Sequence, residues 1–109
     1  MEAPTLSAAQ QKLRRVRDLL LPGLYEFCGK QERDHGRLIE LDMDADYSSG
    51  NLDVCAALFS GSAWKFASRR PVAYKRATLA TWDEIESEAY KVQFSPRLRA
   101  LVDDLEKVK

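Results

Sequence analysis

The sequence predicts an α+β domain: an antiparallel sheet of three or four strands, arranged as a β-meander and covered by one N-terminal and two C-terminal helices. Three observations carry this expectation. Residues 38–46 alternate apolar and acidic side chains with a period of two. Ser7 with Gln10 and Thr81 with Glu84 have the spacing of helix-capping boxes. Leu98, Leu101, Val102, Leu105 and Val108 recur at helical spacing near the end of the chain. With 109 residues, the chain is expected to form one domain, because either half alone would bury too little apolar surface.

The first helix is expected from Ala8 to Leu20, with Leu13, Val16 and Leu20 on one face and Pro22-Gly23 as its stop. Leu24 to Cys28 reads as a short aromatic strand, and the polar run Gly29 to Gly36 as a loop. Leu38 to Asp46 is the clearest strand. Ile39, Leu41, Met43 and Ala45 point to one side, and Glu40, Asp42, Asp44 and Asp46 to the other.

Tyr47-Ser48-Ser49-Gly50 then forms a turn into Asn51 to Phe59. That segment fits two templates. Leu52, Val54, Ala56 and Leu58 alternate as in a strand, while Leu52, Cys55, Phe59, Ala63 and Phe66 fit a helical stripe. The hairpin-like turn and the breaker Ser60-Gly61-Ser62 favour a strand, with a further return through Ala63 to Ala67. Ser68 to Ala80 reads as extended or irregular around Pro71, with Val72 and Tyr74 placed for an edge strand. Thr81 starts a helix with Trp82, Ile85, Ala89 and Val92 on its apolar face. Ser95 is expected to cap the last helix, with Pro96 at its first position, where a missing N–H costs nothing.

Composition narrows the function classes. Hydrophobic residues make up 45% and charged residues 31%, a globular balance rather than a disordered or membrane-embedded one. Seventeen basic residues balance 17 acidic ones, which argues against bulk nucleic acid or an anionic bilayer as the main partner. Met1 to Gln11 contain no apolar block of signal-peptide length, and no stretch reaches the ~20 apolar residues of a membrane span. The cytoplasm is therefore the expected location. Cys28 and Cys55 lie in apolar segments and are expected as free, packed thiols.

The neutral total hides a segregation of charge. Glu40 to Asp53 holds the acids Glu40, Asp42, Asp44, Asp46 and Asp53 and no base. Val54 to Trp82 holds the bases Lys65, Arg69, Arg70, Lys75 and Arg76 and no acid. Alternate carboxylates on a strand stand about 6.5–7 Å apart and repel, unless cations of neighbouring strands or loops neutralise them. Unneutralised, such a row would steer and hold a basic partner.

Chemistry that would make the chain an enzyme is sparse. His35 is the single histidine and is expected in the polar loop beside Asp34. No nucleophile elbow or phosphate-cradling glycine loop occurs. The spacing of Asp42, Asp44, Asp46 and Asp53 resembles the calcium loop of EF-hand proteins. Tyr47 replaces the glycine of that loop's sharp turn, Ser49 its apolar residue and Asp53 its longer glutamate, so neither metal nor cofactor is expected.

The sequence thus points to a non-enzymatic protein-binding module, with Glu40, Asp42, Asp44, Asp46 and Tyr47 as its contact surface. One concrete form is an inhibitor or immunity-type protein that occludes a basic site on a toxin. The alternative is a nucleic-acid-binding accessory protein that uses Lys65, Arg69, Arg70, Lys75 and Arg76. An unpaired edge strand would also leave homodimerisation open.

Overall fold

A computed structural model describes residues 7–59 and 70–108. Among them the order is α1 (Ala8–His35), β1 (Leu38–Asp46), β2 (Asn51–Phe59), β3 (Ala73–Ala80), α2 (Trp82–Ser87) and α3 (Tyr90–Val108). This is the expected α+β arrangement, with the strands in the meander order β1-β2-β3. The expected return through Ala63 to Ala67 lies outside the described residues.

Helix α1 begins as the sequence indicates. Ser7 Oγ accepts from the Gln10 N–H at 3.2 Å, and Gln10 Oε1 accepts from the Ser7 N–H at 3.0 Å. It does not stop at Leu20. The helix runs through Pro22 to His35, so the expected strand Leu24 to Cys28 and the expected loop to Gly36 are both helical. Leu13, Val16, Leu24 and Gln31 are buried, and Leu20 and Phe27 pack against the same core. These positions form one helical stripe that continues across the proline. Pro22 removes a single backbone donor and costs about 3 kcal/mol in a helix interior. Burying Leu24 fully and Phe27 in part offsets this, since a fully buried large apolar side chain stabilises by ~1.5–3 kcal/mol.

Gly23 serves packing rather than termination. A Cβ on it would come within 3.2 Å of the Phe94 ring, so glycine lets α1 approach α3 closely. The actual stop is Gly36, whose φ of 64° is left-handed and whose N–H donates to the Glu32 carbonyl at 3.0 Å.

Both long strands form as expected, and the ambiguity over Asn51 to Phe59 resolves as strand. β1 and β2 pair antiparallel from Asp46↔Asn51 to Leu38↔Phe59. β3 pairs with β2 from Leu58↔Ala73 to Leu52↔Ala80, with a register shift at Leu52/Asp53. Of the segment expected to be extended or irregular, Ala73 to Ala80 is thus more regular than its sequence suggested. Ala73–Ala80 is a full edge strand that includes Tyr74, while Val72 stands just before it and donates its N–H to the Leu58 carbonyl at 2.7 Å.

The Thr81–Glu84 capping box forms, but the C-terminal helices divide elsewhere than expected. α2 ends at Glu88, held left-handed at φ 65°, and α3 starts at Tyr90 with Pro96 inside it. Pro96 leaves the Val92 carbonyl without a helical donor. Val92 is 75% exposed, so water can take that place.

Both long helices cover the same side of the sheet, α1 mainly against β1 and α3 mainly against β3. The core between them holds Ile39, Met43, Leu52, Val54, Ala56, Leu58 and Leu79 from the strands. Leu13, Leu24, Ile85, Leu98, Leu101, Val102 and Leu105 fill it from the helices. No described helix is long and apolar enough to cross a membrane.

Candidate protein-binding face

Covering one side of the sheet leaves the other to carry whatever the alternation of β1 places there. The strand register fixes three transverse rows on that face. They are Glu40–Ala57–Tyr74, Asp42–Cys55–Arg76 and Asp44–Asp53–Thr78, reading from β1 through β2 to β3. Glu40, Asp42 and Asp44 are exposed, as the period-two reading of residues 38–46 requires. Asp42 and Asp44 make no hydrogen bond or ion pair among the described residues.

Among the described residues, one cation, Arg76, is paired on this face. Arg76 Nη2 reaches diagonally to Asp53 Oδ2 at 2.9 Å, and Asp53 foremost, with Asp44 adding its charge, raises the arginine's pKa further. Asp53 is largely covered, and its Oδ1 is buried without a partner among the described residues. Asp44 stands directly opposite Asp53. In water the repulsion between neighbouring carboxylates at ~6.5 Å is roughly 0.6 kcal/mol, and it grows where the surroundings are less polar. Among the described residues, Asp42 and Asp44 of this row thus stand outside any ion pair.

Tyr74 is 62% exposed on the same face. Its hydroxyl engages the Cys55 side chain, and this interaction, ahead of Cys55's charge, pushes the Tyr74 pKa up. Cys28, in contrast, sits between α1 and β1. Burial raises its pKa, and a hydrogen bond from the Leu41 backbone N–H opposes the rise. Both cysteines are free and half-buried.

The remaining residues singled out in the sequence are dispersed. Asp46 is used inside the β1–β2 turn. Its Oδ1 accepts from the Ser48 hydroxyl at 2.7 Å and from the Ser48 and Ser49 N–H groups at 3.0 and 3.4 Å. These donors, the Ser48 side chain first, lower its pKa to about 2. Tyr47 lies around the turn, lining a small cleft with Ser7, Gln10, Leu13 and Trp82 instead of joining the acidic row.

Lys65 and Arg69 lie outside the described residues, and Arg70 is exposed ahead of β3. Lys75 and Arg76 are adjacent on a strand and so point to opposite sides. Lys75 pairs with Asp104 of α3 at 2.7 Å on the helix side, and Arg76 pairs with Asp53 on the acidic side. Asp42, Asp44 and Asp53, which resemble a calcium loop in spacing, form a β-hairpin across two strands.

His35 belongs to the last turn of α1 rather than to a loop. It lines a cavity of about 580 Å³ with Arg37, Leu58, Phe59, Val72 and Glu106. The charged groups of that cavity, Arg37 and Glu106, are paired with each other at 3.1 Å.

Sequence reasoning missed Tyr74, Cys55 and Asp53 as parts of this face. The alternation Asp53-Val54-Cys55-Ala56-Ala57 carried the signal for two of them, but only the strand register set Tyr74 beside the acidic row. Comparison with known proteins finds no matching family model, no matching curated protein and no matching solved structure.

Proposed function

We propose that this chain is a non-enzymatic protein-binding module that docks its acidic sheet face on a basic surface of another protein. The supporting observation is the pair Asp42 and Asp44, exposed on a regular strand and in no hydrogen bond or ion pair among the described residues. Folding gains nothing from holding these charges side by side, whereas a cationic partner would be steered to them and bound by them. A module of this kind can act as an inhibitor or immunity-type protein, covering the basic active site of a toxin such as a nuclease.

The test is affinity capture from the native cell with wild-type bait and with the double variant Asp42→Lys/Asp44→Lys. The expected result is a partner held by the wild type, released as salt rises, and lost from the variant, which keeps its circular dichroism spectrum. A partner retained equally by both baits would refute the proposal.

A further inference from the structure

Independently of the acidic face, we infer that β3 takes up an extended segment of another protein along its free edge. The segment alternates apolar and acidic residues and sends an apolar side chain into the crevice between β3 and α3. The sheet order makes β3 an edge strand, and among the described residues no strand pairs with it beyond β2. A sheet leaves every second backbone N–H and C=O of its edge strand without a ladder partner, and a strand laid alongside takes them up. Long edges without proline are the ones open to such addition, and Ala73–Ala80 runs eight residues with none.

The crevice gives this edge a side-chain site. It holds about 210 Å³ between Ala77, Thr78 and Leu79 of β3 and Ala100 and Leu101 of α3, with Val54 of β2 behind them. Thr78 belongs to the outer face by its row and yet lines the crevice, so the opening wraps around the strand's free edge. The volume is several times the ~30 Å³ of a water molecule in the liquid, which is room for a branched aliphatic side chain. The charges at the rim are closed on themselves, Lys75 on Asp104 and Arg97 on Glu84, so an uncharged side chain suits the opening.

Charge sets the positions in between. β3 carries the cations Lys75 and Arg76 and no acid. Arg76 is exposed on the outer face, and its pair with Asp53 occupies Nη2. The other donors of its guanidinium remain for a carboxylate on a strand laid beyond it. A residue opposite Arg76 shares its face, and both neighbours of that residue turn to the helix side, where the crevice lies. The added segment therefore reads apolar, acidic, apolar. The carboxylates of β1 stand three strand spacings from it, about 14 Å, beyond the Debye length of ~8 Å at physiological salt. A second copy offers no such strand: Ile39 and Met43, which alternate with the acids of β1, are held in their own core, and β3 against β3 sets cations beside cations.

The test joins amide hydrogen exchange to an NMR titration of the full chain at physiological salt, with three seven-residue peptides. The probe alternates glutamate and valine; one control replaces glutamate by lysine, the other valine by serine. In the free chain every second amide of β3 should exchange fast. The probe should slow those amides and shift the Arg76, Ala77 and Ala100 resonances. The serine control should bind about tenfold more weakly, and the lysine control more weakly than the probe. Ala100→Leu, which closes the crevice from an exposed position on α3, should weaken the probe about tenfold, and Arg76→Gln about threefold. Asp42→Lys/Asp44→Lys should bind the probe undiminished, which separates this edge from the acidic face.

Slow exchange of all β3 amides in the free chain would show the edge already covered and overturn the inference. Probe shifts without added protection of β3, a lysine peptide bound as tightly as the probe, or no shift at millimolar probe would overturn it too. Protection of β3 that grows with protein concentration alone would make a second copy the occupant, against the inference.

Discussion

The two sides of the same three-stranded sheet treat charge in opposite ways. Toward the helices, the ion pairs are close and tie separate elements together: Lys75 to Asp104 at 2.7 Å, Arg37 to Glu106 at 3.1 Å, and Arg97 to Glu84 at 2.7 Å. Arg97 goes further. Its Nη1 and Nη2 donate to both Glu84 oxygens at 2.7 Å, and Nη1 also donates to the Leu79 carbonyl at 2.9 Å. Toward water, Arg76 pairs with Asp53 at 2.9 Å, while Asp42 and Asp44 stand in no ion pair among the described residues. Charges beside the helices tie elements of the fold together, while Asp42 and Asp44 on the outer face make no such bond among the described residues. That contrast is the physical reason to look for function on the outer side.

Substitutions on each side should separate the two roles. Leu52→Ala, in the core beneath the central strand, should destabilise the protein by about 3 kcal/mol in urea unfolding. A loss below ~1 kcal/mol would mean the helix layer does not rest on the sheet as described. Arg97→Ala should cost about 2 kcal/mol, because it removes the bidentate donor of Glu84 and a donor to the Leu79 carbonyl.

The same pair predicts a pH dependence. Hydrogen bonds from Arg97, with help from Thr81, lower the Glu84 pKa from 4.5 to about 2. A depressed carboxylate stabilises the fold above its ordinary pKa, and that contribution disappears as pH falls through the folded value. The wild type should therefore lose thermal stability progressively between about pH 5 and pH 2. Arg97→Ala should flatten that part of the profile, with the remaining slope coming from carboxylates such as Asp46. Equal slopes would show that the clamp is not what lowers the Glu84 pKa.

The smallest effect concerns the outer face. Asp42→Asn/Asp44→Asn should raise stability at low salt by about 0.5 kcal/mol, since it removes repulsion and breaks no pair. The gain should vanish at high salt. A loss of stability would show that these carboxylates are structural, and the contrast between the two sides would collapse.

Much of this was legible where local rules and tertiary structure agree. The alternation from Ile39 to Asp46 announced both the strand and its acidic side, because a one-residue slip would bury four carboxylates. Ser7–Gln10 and Thr81–Glu84 announced two helix starts, because those bonds close within one turn. Pro22-Gly23 and Ser95-Pro96 misled for the converse reason. Each looks like a boundary locally, yet the apolar stripe continues beyond it, and long-range burial outweighs one missing backbone bond. The candidate face divides in the same way. Asp42 and Asp44 were readable from their own strand, whereas Tyr74 and Arg76 joined them only through the pairing of β3.

The sequence by itself determined the periodicity of each strand, the caps that open two helices and the side of β1 that carries the acids. These depend on neighbours within one turn or one pleat. The tertiary structure decided that α1 runs on through Pro22, that Lys75 and Arg76 part to opposite sides, and that an aromatic ring faces a carboxylate row across the central strand. Such outcomes depend on contacts between distant segments, whose energies no local pattern contains.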